Sequence, residues 1–512
     1  MGDSAIFAQA LSRNNGFSLD SVYLSSMTKF LFSIYGSSEP VSLESLPKVI
    51  EDFPIMTNHS YLILYLLKPF SMLIPFAVLD ALVSSLIFVG PTVLVYLVFR
   101  RFKPQHKNTK FLMACFLMVV WQFPGNIWQA MGQFYPDKLS IILLPLLIMS
   151  LESAQISNKA KFKRFFLIAV LAILVTERSA LYVALISLVY GAFRIKKSKR
   201  FDNESIAYLS VSTVSAMYSV IYIKLFTQNP YSDGYIAQIL SYKPSFNRLL
   251  NDGSISLLLF ILPILILIYK EFDLLVILLL GTLPYLMATM GGAEKYGWMT
   301  HYLSYLTGII VGVICASLAR TLNSIVPEIP HKKKKLKKKK TQPVIPSNRI
   351  LLAFFTSTIL FLSLNPFSPT LKFSLIGEER LGTLSSIVEW YSVPSSRSEI
   401  YKREEEIREI ISQIPSDASV TVTEITAPWL TQRNSQIFQL PLGLKSSEYL
   451  LLESMDFNGI FSSPVVPLPL SPQNSIELTN EITKYALSGC FELKMYKPSL
   501  NVFLFSRITE SC

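Results

Sequence analysis

The chain has 512 residues, 51% of them hydrophobic and only 16% charged, with a mean hydropathy of +0.41, a balance too apolar and too poor in charge for a soluble multidomain protein. Its formal charge of +12 is not a nucleic-acid signature, because eight lysines fall in one run at 332–340 between two apolar segments, with no aromatic interleaving. A run so placed belongs beside anionic lipid headgroups, and the chain reads as an α-helical polytopic membrane protein whose partners include the bilayer and no nucleic acid.

The chain opens "MGDSAIFAQAL", with Asp3 and Gln9 close to the start and Ile6, Phe7, Ala10 and Leu11 on one helical face. "DFPIMTNHSYLILYLL" then sets Asp52 and His59 just before an apolar run interrupted by Lys68 and Pro69. Residues 1–77 are expected to form a first external loop with short amphipathic helices. Exporting such a stretch requires either a further helix ahead of Met1, which is the expectation, or a first span acting as a reverse anchor.

A membrane-spanning helix needs about 20 apolar residues. Ten segments qualify or nearly so: 78–99, 110–127, 138–152, 164–176, 179–194, 206–226, 254–270, 273–290, 301–319 and 350–366. The short pair 164–176 and 179–194 reads either as two spans or as one long broken segment. "RRFKPQHKNTK", "NKAKFKR", "RIKKSKR" and the lysine run are basic, whereas "PGNIWQAMGQFYP", the 227–254 loop and "GGAEKYGW" carry less positive charge. Every second loop is therefore cytoplasmic. The expected organisation is 1–77 external, 78–319 a helical core, 320–349 a basic cytoplasmic loop, 350–366 the last span and 367–512 an external domain.

That last part is a different material. "EIYKREEEIREIISQI" is a charged helix with Ile400, Ile407, Ile410 and Ile411 along one face; "PSDASVTVTE", "QIFQLP" and "EYLLLES" read as short strands; 475–487 reads as a helix and "CFELKMYKPSLNVFLFSR" as a hairpin. A small α/β domain follows. Cys115 and Cys315 lie in apolar segments as small hydrophobes, while Cys490 and Cys512 flank the hairpin and could pair in an oxidising compartment.

Polar side chains at a membrane face are costly unless paired or hydrated, and each is a functional candidate. "QFYPDKLS" offers Tyr135, Asp137 and Lys138, "TERSALY" offers Glu177 and Arg178, and "WMTHYLSY" offers His301 and Tyr302. By the charge alternation all lie on one side, with Asp3, Gln9 and His59. Each also has a plain structural reading: a helix cap for Asp3 or Asp137, an interfacial anchor for His301, a paired charge for Glu177 and Arg178. Carboxylates converging at a membrane face suit sugar transfer from a lipid-linked phosphate, in which one acid takes the acceptor proton and cations such as Lys138, Arg178, Lys243 and Arg248 hold the phosphate.

The order of these pieces resembles the predicted membrane proteins grouped as domain of unknown function 2079, similar in layout to the GT-C glycosyltransferases that use polyprenyl-phosphate sugars. The resemblance rests on "GDSAIFAQAL", "NHSYLILYLLKPF", "FYPDKLSIILLPLLI", "VTERSALYVAL", the "HY" at 301–302, and the tail from "IPSDASVTVTEITAPWLTQR" through "EYLLLES" to the final hairpin. Tyr135 stands where that family has His, and Arg178 where an acid is common. The resemblance implies a helix directly upstream of Asp3, Asp3 and Asp137 as catalytic carboxylates, and Gln9, His59, Tyr135, Lys138, Glu177, Arg178 and His301 around the substrate. It implies a lipid-linked sugar donor, a glycan, lipid or protein acceptor, and a place in the plasma membrane; a divalent cation is compatible with that chemistry. Two other classes compete: a transporter or flippase, and a non-catalytic scaffold whose external domain recruits partners.

Overall fold

The computed structural model describes residues 2–12, 18–22, 24, 44, 53–57, 59–101, 107–123, 134–152, 158–226, 254–287, 303–325, 348–364, 397–423, 426–430, 436–453, 480–482 and 484–509. Among them the chain is mostly helical, with a small C-terminal sheet. Helix α1 is Gly2–Ser12 and α2 is Ile63–Leu73; then come α3 (Phe76–Arg101), α4 (Lys107–Gln122), α5 (Ser140–Leu151), α6 (Asn158–Ile173), α7 (Glu177–Ser198) and α8 (Asn203–Leu225). They are followed by α9 (Ser254–Ile268), α10 (Phe272–Met287), α11 (Ser304–Ile325), α12 (Asn348–Leu364) and the charged α13 (Arg397–Ser412).

Each apolar segment expected from the sequence coincides with one of these helices. Among the described residues, four helices are long and apolar enough to cross a membrane: Phe76–Arg100, Glu177–Ser198, Asn203–Leu225 and Ser304–Leu322. The short pair is two helices. Thr176 separates them, with extended backbone and a side-chain oxygen accepting from Ser179 N at 3.0 Å, so α7 starts at its own N-cap.

Helix α11 is the axis of the bundle, buried at every position from 303 to 319. Such burial requires apolar side chains on all sides and close neighbours. Gly308 and Gly312, four residues apart, provide the approach to α5. A Cβ at Gly308 would collide with the Ser140 carbonyl oxygen, and one at Gly312 would lie 3.0 Å from Pro145 Cα and 2.6 Å from the Ile148 side chain. This small-residue spacing lets two apolar helices meet backbone to backbone, where van der Waals contact must replace the hydrophobic drive that lipid removes.

The α5–α11 pair is also tied at its far end. Arg320 donates to Glu152 (Nε–Oε2 2.9 Å, Nη2–Oε1 2.6 Å) and to Asp273 (Nη1–Oδ1 2.8 Å, Nη2–Oδ2 2.6 Å), while Arg349 faces Glu271 at 3.3 Å. One guanidinium thereby joins the ends of α5 and α11 to the start of α10, using the planar fork that suits arginine to two carboxylates.

The two-residue strands β1 (Asp20–Ser21) and β2 (Phe53–Pro54) pair antiparallel beside α1; in the C-terminal unit, β3 (Val420–Val422), β4 (Ile437–Gln439), β5 (Tyr449–Glu453), β6 (Phe491–Lys497) and β7 (Val502–Arg507) form one sheet in the order β4-β3-β5-β7-β6. β3 runs parallel to β4 and β5, and β7 antiparallel to β5 and β6. Within the expected helix at 475–487, residues 480–482 and 484–486 are helical and 487 is a turn, and Cys490 is disulfide-bonded, with Cys512 outside the described residues. Alternation sends Leu450, Leu452, Phe503 and Phe505 to one face, and Val422, Leu451, Val502 and Leu504 to the other.

The second face shares a core with Ile6, Phe7, Ala10 and Leu11 of α1 and with Phe76 and Phe134 of the bundle end. This corrects the expectation of a one-faced amphipathic α1. Ala8 and Gln9 are buried as well, because the 427–430 turn of the C-terminal unit covers the side that a lone surface helix would leave wet.

Lys68 holds α1 in that slot. It is fully buried on α2, and its Nζ donates to the Ala10 carbonyl at 2.6 Å; Ser71, one turn on, donates to the Leu11 carbonyl at 2.8 Å. These are last-turn carbonyls of α1, which have no partner within the helix and sit at its negative end. Lys68→Met is expected to weaken docking of α1 by about 2 kcal/mol, seen as faster amide exchange confined to residues 6–12; unchanged exchange there would discard this role.

Candidate functional site

The site forms where the first turns of α5, α7 and α11 meet the segment ahead of α2. Pro136–Leu139 is a short 3-10 turn leading into α5, and it buries Asp137 and Lys138. Asp137 does not cap a helix. Its Oδ1 accepts a hydrogen bond from the Tyr305 hydroxyl, and its Oδ2, also buried, has no hydrogen-bond partner among the described residues. Burial pushes the Asp137 carboxyl above the ordinary carboxylate range, and the Tyr305 hydrogen bond, Arg178 and His59 draw it back.

Tyr305 is held from three sides. Its hydroxyl shares a hydrogen bond of 2.7 Å with Thr176, the N-cap of α7, and its ring stacks on Tyr182 at 5.1 Å with planes 14° apart. Tyr182 is in turn hydrogen-bonded to Tyr285 of α10. Helices α7, α10 and α11 therefore fix one phenol against the carboxylate on the turn ahead of α5.

Glu177, in the first turn of α7, is 3% exposed and bound to the segment before α2. Its Oε1 lies 2.6 Å from His59 Nδ1, and its Oε2 accepts from Ser60 N at 3.0 Å and Ser60 Oγ at 3.2 Å. The backbone repeats the link, since Ile63 N donates to the Leu174 carbonyl at 2.7 Å. Arg178 stands within electrostatic reach of both Asp137 and Glu177. An acid pair, a histidine and an arginine thus share one end of the bundle, opposite the end that holds Arg320.

The remaining candidates divide. Lys138 has a carboxylate opposite it: Asp80 of α3, itself bonded to Ser84 at 3.3 Å. Gln9 belongs to α1 and Tyr135 packs against it. Phe7 meets Tyr135 edge-on at 5.2 Å, and Gln9 Oε1 accepts from Ser21 Oγ at 2.7 Å. Asp3 is in the first turn of α1, four residues before Phe7, with its side chain outside the described residues, as are Asp52, Lys243, Arg248, His301 and Tyr302 entirely.

Sequence reasoning passed over Tyr305, Thr176, Ser60 and Asp80. Asp80 had a usable signal, a carboxylate within an apolar stretch. Thr176 had one too, a hydroxyl residue three positions before Ser179 at a helix start. Tyr305 lies three residues beyond the "HY" pair and carries no local mark, and Ser60 acts through its backbone as much as its side chain. Among the described residues, no group of three or more His, Cys, Asp or Glu side chains is arranged to hold a metal ion.

A family model described as "Predicted membrane protein (DUF2079)" matches residues 18–486. The match takes in His59, Asp137, Glu177, Arg178 and Tyr305 and begins after Asp3 and Gln9. No curated protein and no solved structure matches the chain.

Proposed function

The chain belongs to the family of predicted membrane proteins known as domain of unknown function 2079, and from that premise we propose a GT-C-like glycosyltransferase that moves a sugar from a polyprenyl-phosphate donor to an envelope acceptor at the external face of the plasma membrane. The observation that carries the reading is the buried Asp137, oriented through one oxygen by Tyr305 and with the other oxygen unengaged among the described residues, beside Arg178. In the proposed step, Asp137 Oδ2 takes the proton of the acceptor hydroxyl. The acceptor oxygen bonds to the sugar's anomeric carbon while the bond from that carbon to the phosphate oxygen breaks. The electron pair leaves on the polyprenyl phosphate, where Arg178 meets the developing charge. Glu177 and His59 hold the arginine's neighbourhood in place.

Asp3 is kept as a second carboxylate on the resemblance, and Gln9, Tyr135, Lys138 and His301 as the periphery of the donor site. Ten spans with every second loop cytoplasmic, and an external C-terminal domain, complete the reading. The disulfide at Cys490 supports an oxidising compartment for that domain.

The test is transfer in liposomes loaded with extracted lipid-linked sugars and envelope acceptors. The native protein is expected to form glycosylated product and free polyprenyl phosphate; Asp3→Asn and Asp137→Asn are expected to insert normally and form none. Undiminished product from both variants rejects the reading. Solute accumulation in proteoliposomes without covalent change would favour a transporter, for which the Arg320 cluster at the opposite end is the supporting feature.

A further inference from the structure

Helix α2 is amphipathic the wrong way round for a protein surface. Lys68 and Ser71 point inward to α1, whereas Tyr65, Leu66, Phe70, Met72 and Leu73 face outward, Leu73 at 83% exposure. From 63 to 75 the one charged side chain is Lys68, and it is buried. No charge therefore moderates the outer face, whose one polar atom is the Tyr65 hydroxyl.

Two observations say what covers that face. First, α3, directly after α2, already spans the hydrocarbon alone: its 26 residues make about 39 Å of helix against a hydrocarbon core of about 30 Å. The chain breaks between the two helices at Ile74, which is extended (φ −131°, ψ 146°) ahead of Pro75. Helix α2 is thus not part of the same span. Second, the exposed apolar residues resume beyond the break as Val78, Leu82, Leu86, Val89 and Val93 of α3, one of the four described helices suited to cross a membrane. The two faces belong to one apolar environment.

We propose that α2 is an in-plane membrane anchor, with its outward face seated in the boundary between lipid headgroups and acyl chains at the His59–Glu177 end of the bundle. Ordinary interfacial helices turn a basic face to water; here the basic residue is turned into the protein, where it caps α1. The helix therefore links the lipid surface to α1 on one side and, through His59 and Ser60 just ahead of it, to Glu177 on the other. A lipid headgroup meets the site at this level without leaving the membrane. The inference stands on α2 and α3 and does not depend on the transferase reading.

The experiment uses the full-length protein in liposomes, with nitroxide labels at Leu66→Cys, Phe70→Cys and Leu73→Cys in turn, and the unsubstituted protein as the blank for Cys115 and Cys315. Collision rates with oxygen and with a water-soluble nickel chelate are compared with those of Val89→Cys, as the hydrocarbon reference, and Lys494→Cys, as the aqueous one. The three positions are expected to favour oxygen over the chelate several-fold, at a depth shallower than position 89. Chelate access equal to that at 494 overturns the proposal, and so does shielding from both reagents, which would place a second copy or another protein on this face. Should one substitution prevent insertion, the other two decide.

Discussion

Asp137→Asn is expected to lower sugar transfer by about 10²–10⁴-fold, the usual weight of a general base, while the protein still inserts and, at neutral pH, withstands heat better than the parent. The two effects have one cause. Asparagine keeps an oxygen for the Tyr305 hydroxyl, so the geometry survives, but it cannot take a proton. Burial has raised the Asp137 pKa in the folded protein above its ordinary value of 3.8. Between those two values the folded state holds the proton more tightly than the unfolded chain, and stability falls as pH rises through that window. Removing the ionisation returns what is lost above the folded pKa and nothing below 3.8. A midpoint gain of a few degrees at neutral pH, fading in acid, is the expected signature. A variant less stable than the parent at neutral pH would mean that the carboxylate is an ordinary structural acid.

The second large effect belongs to a residue with no chemistry. Gly308→Leu is expected to cost about 3 kcal/mol or more of stability, because overpacking here meets backbone and not a flexible side chain. Gly308 lies three residues after Tyr305, and the Ser140 carbonyl it touches belongs to the residue three positions after Asp137. Forcing α5 from α11 at that point separates the phenol from the carboxylate. A milder Gly308→Ala is expected to lose transfer out of proportion to its loss of thermal midpoint. If midpoint and transfer fall together in both variants, Gly308 serves packing alone.

The helices were legible because the membrane imposes a simple rule, long apolar stretches separated by charged loops, and each expected segment has its helix. The C-terminal strands were legible as short apolar and β-branched runs, but not which face each residue takes: Leu450, Leu451 and Leu452 do not alternate in the sequence because both faces of β5 are buried. Orientation of single side chains was not. "PDKL" reads as a helix start whether Asp137 caps it or, as found, turns to a tyrosine 168 residues away. Lys68 looked like an interruption of an apolar run; it is the partner of α1's last turn, a role that exists only once two distant helices have packed. Arg320, Glu152 and Asp273 sit at the ends of separate apolar segments, each an unremarkable loop charge in one dimension. The "GIIVG" at 308–312 was visible in the chain and is the packing seam of the axis, a signal present but not used. His59, Glu177, Arg178 and Asp137 were singled out separately, and the fold brings those four together, while Tyr135 and Gln9 went to the α1 side.

The most direct measurement of the central claim needs neither the sugar nor the acceptor. Purified protein is titrated with polyprenyl phosphate, and its thermal midpoint is followed beside that of Arg178→Gln. The account predicts a rise that grows with ligand concentration for the native protein and no rise for the variant; equal rises in both, or none in either, would contradict a phosphate site at Arg178 and with it the transferase.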